Sequence, residues 1–348
     1  MSDSIIPKKM KAVVSEELGQ PVVVTEVDVP VPGPGEVLVK VAATGVCHTD
    51  LHAVMGDWPV KPKDRLIPGH EGVGTVVALG PGVTDVEVGD IIGNAWLGTA
   101  CGGCEFCRTS RENLCEAQGN SGYSRDGSYA EYMVVDPKFA GRIPAGVDLD
   151  EIAPILCAGV TVYKALKETE VKPGQWVVIS GIGGLGHVAV QYAHAMGMRV
   201  VAVDIDQSKL DLAKKYGAEV LVNAREGDPI AEVQEAIGGA HGVLVTAVHP
   251  IAFSQGLGMT RRGGTIVLVG LPPGTFEVDI FDVVLRGLTI RGSIVGTRQD
   301  LQEAIDFYTA GKIHPTVSVE DLDNAADVLH RLEEGDVDGR IVLKVEED

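Results

Sequence analysis

The sequence predicts an α/β protein in two parts: a β-rich, barrel-like domain and, inserted into it, a doubly wound parallel-sheet domain. Three observations lead there. Residues 11–94 hold short apolar runs punctuated by turn residues, the pattern of an all-β unit. From about Asp148 onward, strand-like and helix-like segments alternate at the interval of βαβ units. The closing helices and strand fit neither pattern and are assigned back to the first part. The expected bounds are therefore 1–157 with 296–348 for the β-rich domain and 158–295 for the parallel-sheet domain. A chain of 348 residues has the length for roughly two such domains, each with a buried core.

In order, the β-rich runs are Ala12–Ser15, Val22–Val27, Glu36–Ala42, Gly72–Leu79 and Asp90–Gly93. Turns such as Pro32-Gly33-Pro34-Gly35 and Pro81-Gly82 separate them. The alternating part begins with a helix over Val160–Glu170. A strand over Trp176–Ser180, a helix over Leu185–Met196, a strand over Val200–Asp204, a helix over Gln207–Tyr216 and a strand over Glu219–Asn223 come next. Strands over Gly242–Ala247 and Thr265–Gly270, with a helix between them, and a last strand over Leu288–Ser293 complete the series. Such continuous apolar runs suit parallel strands buried on both faces. Helices over Gln299–Tyr308 and Leu322–Glu333 and a strand over Arg340–Val345 close the chain. Val177–Met198 carries no Asp, Glu, Lys or Arg, yet its glycines, His187 and His194 favour strand, turn and helix over a membrane span.

A net charge of −20 argues against nucleic acid or an anionic membrane as partner, because phosphate binding needs a positive footprint. The N-terminus has no apolar core of a secretory signal, so a cytoplasmic location is expected, where thiols stay reduced.

Four of the six cysteines, Cys101, Cys104, Cys107 and Cys115, read C-x2-C-x2-C-x7-C, a spacing that suits one tetrahedral structural zinc. Disulfides are less suited to a long chain with so few cysteines. A redox pair at Cys101 and Cys104 would leave the other two without a reason.

The strand ending at Ser180 runs into Gly181-Ile182-Gly183-Gly184-Leu185-Gly186, which matches G-x-G-x-x-G, opens a helix, and is succeeded by an apolar strand ending in Asp204. Gly181 would allow the tight turn, Gly183 the approach of a pyrophosphate to the backbone, and Gly186 close helix packing. The helix N-terminus would hold the phosphates, and Asp204 would accept from the ribose hydroxyls and repel a 2′-phosphate, favouring NAD. A glycine turn with a chance acid after it is the plainer alternative.

Two further signatures stand in the β-rich part, Cys47-His48-Thr49-Asp50-Leu51-His52 and Gly69-His70-Glu71-Gly72-Val73-Gly74. Singly, a buried cysteine or histidine is more often a core residue than a ligand. Together with the cysteine cluster, the glycine loop, Cys157-Ala158-Gly159-Val160-Thr161 and Gly339-Arg340-Ile341-Val342, they make the chain resemble the zinc-dependent medium-chain alcohol dehydrogenases over nearly its whole length. The nearest look is to the short, yeast-like and bacterial branch.

The resemblance implies a GroES-like catalytic domain, an inserted Rossmann domain, two zinc ions per chain and NAD. It implies that Cys47, His70 and Cys157 hold a catalytic zinc with one open position, that Glu71 lies behind the metal and can visit it as a further ligand, and that Asp50 orients the His70 imidazole. Thr49 and His52 would relay a proton to solvent. His48 and Arg340 would contact the pyrophosphate, Thr161 the nicotinamide, and Gly184, Leu185, Lys209, Val248 and Val269 other parts of the cofactor. Trp58 and Trp96 would line a pocket for small primary alcohols, converted reversibly to aldehydes. The same groups would also serve aromatic alcohols, formaldehyde adducts or polyols. The short segment between Cys115 and Tyr132 resembles that of the tetrameric branch, and His249-Pro250 departs from the serine usual in bacterial relatives. A non-catalytic binding protein or a nucleic-acid zinc module is disfavoured by the intact ligand set and the acidic charge.

Overall fold

The computed structural model describes residues 6–345, in two compact units. The first contains the chain up to Cys157, Thr297–Thr309 and the chain from Pro315; the second contains Ala158–Gly296 and Ala310–His314.

In chain order the strands of the first unit's N-terminal stretch are β1 (Lys9–Val14), β2 (Val23–Asp28), β3 (Val37–Gly45), β4 (Gly72–Leu79), β5 (Ile91–Gly93), β6 (Leu97–Thr99), β7 (Gly119–Asn120), β8 (Tyr132–Val135) and β9 (Gly141–Ile143). The second unit holds β10 (Trp176–Ser180), β11 (Arg199–Asp204), β12 (Ala218–Asn223), β13 (Ala240–Val245), β14 (Thr260–Leu268) and β15 (Thr289–Gly292). Two last strands, β16 (Val317–Asp321) and β17 (Arg340–Lys344), return to the first unit.

The main sheet of the first unit runs β16-β17-β3-β4-β5-β9, with β8 also on β3. Its centre is β3, whose Val37, Val39 and Val41 pack with Val76, Ile92 and Met133 in a dry cluster. Fully burying side chains of this kind contributes roughly 1.5–3 kcal/mol each. Two strand registers gather distant parts of the chain at one end of this sheet. Antiparallel pairing of Thr44 with Gly72 sets the chain leaving β3 beside the chain entering β4, and pairing of Val342 with Gly45 brings β17 to the same end.

The second unit is a six-stranded parallel sheet in the order β12-β11-β10-β13-β14-β15. Numbered within the unit this is 3-2-1-4-5-6, and the order reverses between β10 and β13, where an open parallel sheet leaves a crevice at its carboxyl edge. Val178, Val201, Val243 and Ile266 form the core with Phe253, Leu257 and Met259 from the helix Pro250–Met259. His249 caps that helix: its Nδ1 accepts from Ile251 N at 3.3 Å, and Pro250 comes next, in the first turn. The imidazole thus does the work a serine hydroxyl does at an N-cap.

Several details depart from the periodicity of the sequence. Gly296 and Ala310–His314 pack in the second unit instead of the first. The reason in the latter case is a paired clasp: His314 N donates to Gln191 Oε1 at 2.7 Å and Gln191 Nε2 donates to His314 O at 3.1 Å, beside fully buried Ile313. The helix His48–Met55, only eight residues long, is too short to show a period of its own. Strand β14 starts at Thr260, not Thr265: Thr260 pairs with Ala240, the chain bulges over residues 261–264, where Gly263 has φ +71°, and pairing resumes at Thr265 with Gly242. The predicted helix over Leu322–Glu333 begins as a tight turn, Leu322–Asn324, before Ala325–Glu334. Among the described residues no helix is long and apolar enough to cross a membrane.

Candidate active site

The chain leaving β3 enters the helix His48–Met55 through Cys47, the N-cap residue. Asp50 in the first turn accepts from Cys47 N at 3.0 Å, which fixes the entry and satisfies one of the helix's orphan amides. The same buried carboxylate lies 2.8 Å from His70 Nδ1 and accepts from Gly69 N at 3.2 Å and from the Tyr129 hydroxyl at 3.2 Å. With Nδ1 held by the carboxylate, Nε2 is the ring nitrogen left to face a metal, and it lies 3.2 Å from Cys157 Sγ. Cys157 comes directly after the short 3-10 turn Ala153–Leu156. Donor atoms of Cys47, His70, Glu71 and Cys157, all buried, lie within 4.8 Å of one another. Behind them Arg340 from β17 donates to Glu71 Oε1 through Nη2, and both side chains are buried. Arg340 is therefore not a surface cation.

Electrostatics reflect this packing. Burial disfavours a charged His70 ring, but the Asp50 carboxylate outweighs it and holds the ring well above its ordinary range. The hydrogen bond between the two thiols holds Cys47 well below the usual thiol range and, with burial, pushes Cys157 well above it. Burial pushes Glu71 up to about 7 against the pull of Arg340. A thiolate, a thiol and an imidazole oriented by Asp50 form a donor set that a dication would complete, displacing the protons still held there as it binds.

Aromatic rings lie beside the donors. Trp96 meets the His70 ring edge-on at 5.5 Å, Trp58 meets Trp96 at 6.1 Å, and Tyr123 packs on both. His52 stacks on Trp58 at 5.2 Å and places Nδ1 3.0 Å from the Asp57 carboxylate. Thr49, half-buried, shares the first turn with exposed His48.

The other cysteines form a separate lobe. Cys101 Sγ lies 3.9 Å from Cys107 Sγ, and Cys104 Sγ lies 3.5 Å from it, close to the edge of about 3.8 Å that a tetrahedron with Zn–S bonds of about 2.3 Å requires. All six cysteines are free of disulfides. Amides point at the sulfurs: Cys104 N donates to Cys101 Sγ at 3.3 Å and Cys107 N to Cys104 Sγ at 3.5 Å. Hydrogen bonds from the Gly103 and Cys104 amides bring the Cys101 thiol down to about 6. Buried Glu112 accepts from Arg298 Nε at 2.9 Å and Arg298 N at 3.1 Å, pinning the lobe to the helix Arg298–Thr309.

In the second unit the glycine loop comes after β10. Gly181 has φ +94°, and a Cβ there would crowd Ala247 N at 2.7 Å. A Cβ on Gly186 would collide with the carbonyl of Gly181, so the helix Gly186–Ala195 can start this close to the strand only from glycine. Gly183 faces open space, with nothing within 4 Å of a Cβ there, as a loop that receives a phosphate requires. Asp204, ending β11, accepts from Ile182 N at 2.6 Å and Asp206 N at 3.0 Å. Its two oxygens keep further lone pairs for hydroxyl donors. Gly184, Leu185 and Lys209 are half-buried, Val269 comes just after β14, Val248 is exposed beyond β13, and Thr161 is buried in the helix Ala158–Glu168.

The chain matches the alcohol dehydrogenase GroES-like domain family over residues 33–145 and the zinc-binding dehydrogenase family over residues 184–310. It is 61% identical to an alcohol dehydrogenase of Moraxella sp. (strain TAE123) over 334 residues, 96% of this chain and 99% of that one. It is 55% identical to an alcohol dehydrogenase of Geobacillus stearothermophilus over 337 residues, 97% of this chain and all of that one. The chain belongs to the zinc-dependent medium-chain alcohol dehydrogenase family. Its fold also superposes on the crystal structure of the alcohol dehydrogenase from Aeropyrum pernix with a TM-score of 0.89 at 34% identity, covering 96% of this chain and all of that one.

For this alcohol dehydrogenase both cysteine-containing groups fit zinc by their donor chemistry, and the glycine loop fits a dinucleotide phosphate. Among the residues of the site that escape a reading of the sequence are Tyr129, which closes the hydrogen-bond shell of Asp50, and Asp57, which holds His52. Neither lies in a recognisable motif. Asp57 alone carries a local signal, standing five positions after His52, just beyond the C-cap of the helix that carries it.

Asp50→Asn should weaken zinc at the Cys47 group by roughly 10- to 100-fold while the four-cysteine lobe keeps its ion. Chelator titration of the variant, with zinc counting afterwards, checks this; equal loss from both groups would point to general unfolding instead.

Proposed function

We propose that this alcohol dehydrogenase oxidises small primary alcohols to aldehydes, reversibly, with NAD as hydride acceptor and a catalytic zinc held by Cys47, His70 and Cys157. The observation that carries the reading is the buried two-thiol, one-imidazole donor set with Asp50 behind the ring. When bound, zinc polarises the alcohol oxygen and the nicotinamide takes the hydride. The chain's own residues do the rest. Asp50 keeps the His70 proton on Nδ1, and Cys47 is held toward its thiolate form. Thr49 passes the hydroxyl proton toward His52, whose Nδ1 is oriented by Asp57 and whose partly exposed ring returns the proton to water. Trp58, Trp96 and Tyr123, packed on one another beside the donors, would form the apolar wall for a small side chain. Arg340 and His48 supply positive charge for the pyrophosphate, and Thr161, Lys209, Val248 and Val269 line the cofactor's path.

Support for NAD over NADP is Asp204, charged and with lone pairs to spare. Support for a homotetramer is the edge of the parallel sheet, where β15 has one free side and the adjoining helix Ile280–Arg286 exposes Ile280, Phe281, Val284 and Leu285, an apolar face a second copy would cover. Six free thiols fit the cytoplasm, which cell fractionation checks.

The deciding experiment is a kcat/KM panel over ethanol, benzyl alcohol, sorbitol and hydroxymethyl-glutathione on protein whose zinc content and solution mass are measured first. Two zincs per chain, four chains per particle and preference for ethanol are expected; preference for any of the others would move the substrate reading to that class. Asp204→Gly should raise the NADP to NAD ratio of kcat/KM by roughly tenfold or more, the weight of about one hydrogen bond to a charged group. An unchanged ratio would remove Asp204 from the ribose. His52→Gln should slow alcohol oxidation roughly tenfold below neutral pH and less above it, where hydroxide can take the proton directly. A loss equal at all pH values counts against the relay.

A further inference from the structure

The carboxylate of Glu71 has a choice of positions, and one residue outside every motif decides it. Glu71 offers an oxygen within reach of the Cys47, His70 and Cys157 donors, so it could serve as a fourth ligand and fill the position that a catalytic zinc keeps open. Instead, Oε1 is engaged by Arg340, and Oε2 is buried with no donor among the described residues. Oε2 lies over Gly45. A Cβ at Gly45 would overlap Oε2, stand 2.9 Å from Cδ and 3.1 Å from Cβ of Glu71. The φ of Gly45 is outside the left-handed region, so the backbone does not call for glycine; only the space does. The approach is fixed from both sides, because Gly45 N donates to Glu71 O at 3.2 Å and Gly45 pairs with Val342 of β17, two residues beyond Arg340. Neither strand can back away without breaking the sheet that carries Cys47 and Arg340.

We infer that Gly45 is a positioning residue: its missing side chain is the room in which the Glu71 carboxylate rests against Arg340, and this keeps the carboxylate out of the metal's fourth position. Filling that room turns Glu71 toward the thiol and imidazole donors, the remaining partners within its reach. The inference rests on the reading of Cys47, His70 and Cys157 as zinc ligands.

The test compares the zinc-loaded enzyme with G45A, E71D and G45A/E71D. G45A is expected to release the zinc of the Cys47 group to a chelator about tenfold more slowly, the lower end of what second-layer changes do to metal affinity. With cobalt in place of that zinc, added imidazole should no longer shift the visible bands of G45A, as it does those of the parent. In G45A/E71D the shorter carboxylate withdraws from the new methyl group, and both readouts should return toward those of E71D. A folded G45A that releases zinc and binds imidazole like the parent overturns the inference. If G45A fails to fold, the double variant decides: recovered folding supports the clash with Glu71, and continued failure overturns it. Zinc counting of the parent separates the two possible failures. One zinc per chain removes the ligand reading and this inference with it, whereas two zincs with an unresponsive G45A removes this inference alone.

Discussion

One fully buried carboxylate holds together the end of the first unit where the candidate metal ligands meet. Asp50 has partners on four sides: the Cys47 amide, the Gly69 amide, the Tyr129 hydroxyl and the His70 ring. That uses about the full acceptor capacity of an ionised carboxylate, which is what makes its burial tolerable. The partners come from three places: the N-cap of a helix, the loop before β4, which supplies both the Gly69 amide and the His70 ring, and Tyr129 before β8. The two candidate ligands before and after this helix turn, Cys47 and His70, therefore share one anchor, and neither can shift without disturbing the other. Removing a single partner would leave charge exposed to an apolar interior, at a cost well above that of an ordinary hydrogen bond.

Around that anchor the charges alternate in layers. Arg340 stands behind Glu71, Glu71 beside the two thiols, and the thiols against the imidazole that Asp50 holds. A buried guanidinium with no neighbouring carboxylate would be costly, and so would the carboxylate without it. The arrangement lets one unit keep several ionisable side chains away from water, each facing a charged or hydrogen-bonding partner.

What can be read in the sequence is what is local along the chain. The glycine loop needs a strand, a tight turn and a helix in succession, and the three appear in order. The cysteine lobe is likewise contained in one short stretch. By contrast, nothing in the spacing of Cys47, His70 and Cys157 reveals their convergence; residue by residue each reads as core, and only the resemblance to a family joins them. Their meeting is a product of register, Thr44 against Gly72 and Gly45 against Val342, and register is set by pairing across the sheet. Tyr129 and Gly45 are illegible for the same reason. Strands β6, β7 and β9, two or three residues long, are too short to show a period. The clasp of Gln191 on His314 joins residues far apart in the chain, which no local pattern could signal.

The two donor groups also differ in when they can form. The cysteine lobe closes a small loop, so the entropy of bringing its sulfurs together is modest and little else need be in place. The other group cannot exist until β3, β4 and the turn before Cys157 have met, since positions 47, 70 and 157 have no reason to be neighbours in an open chain. An ion captured there is thus held by completed tertiary structure and lost when that structure opens. One group needs only a short stretch of chain to bring its sulfurs together; the other needs strands and a turn drawn from across the unit, so an ion there would bind only to the folded unit.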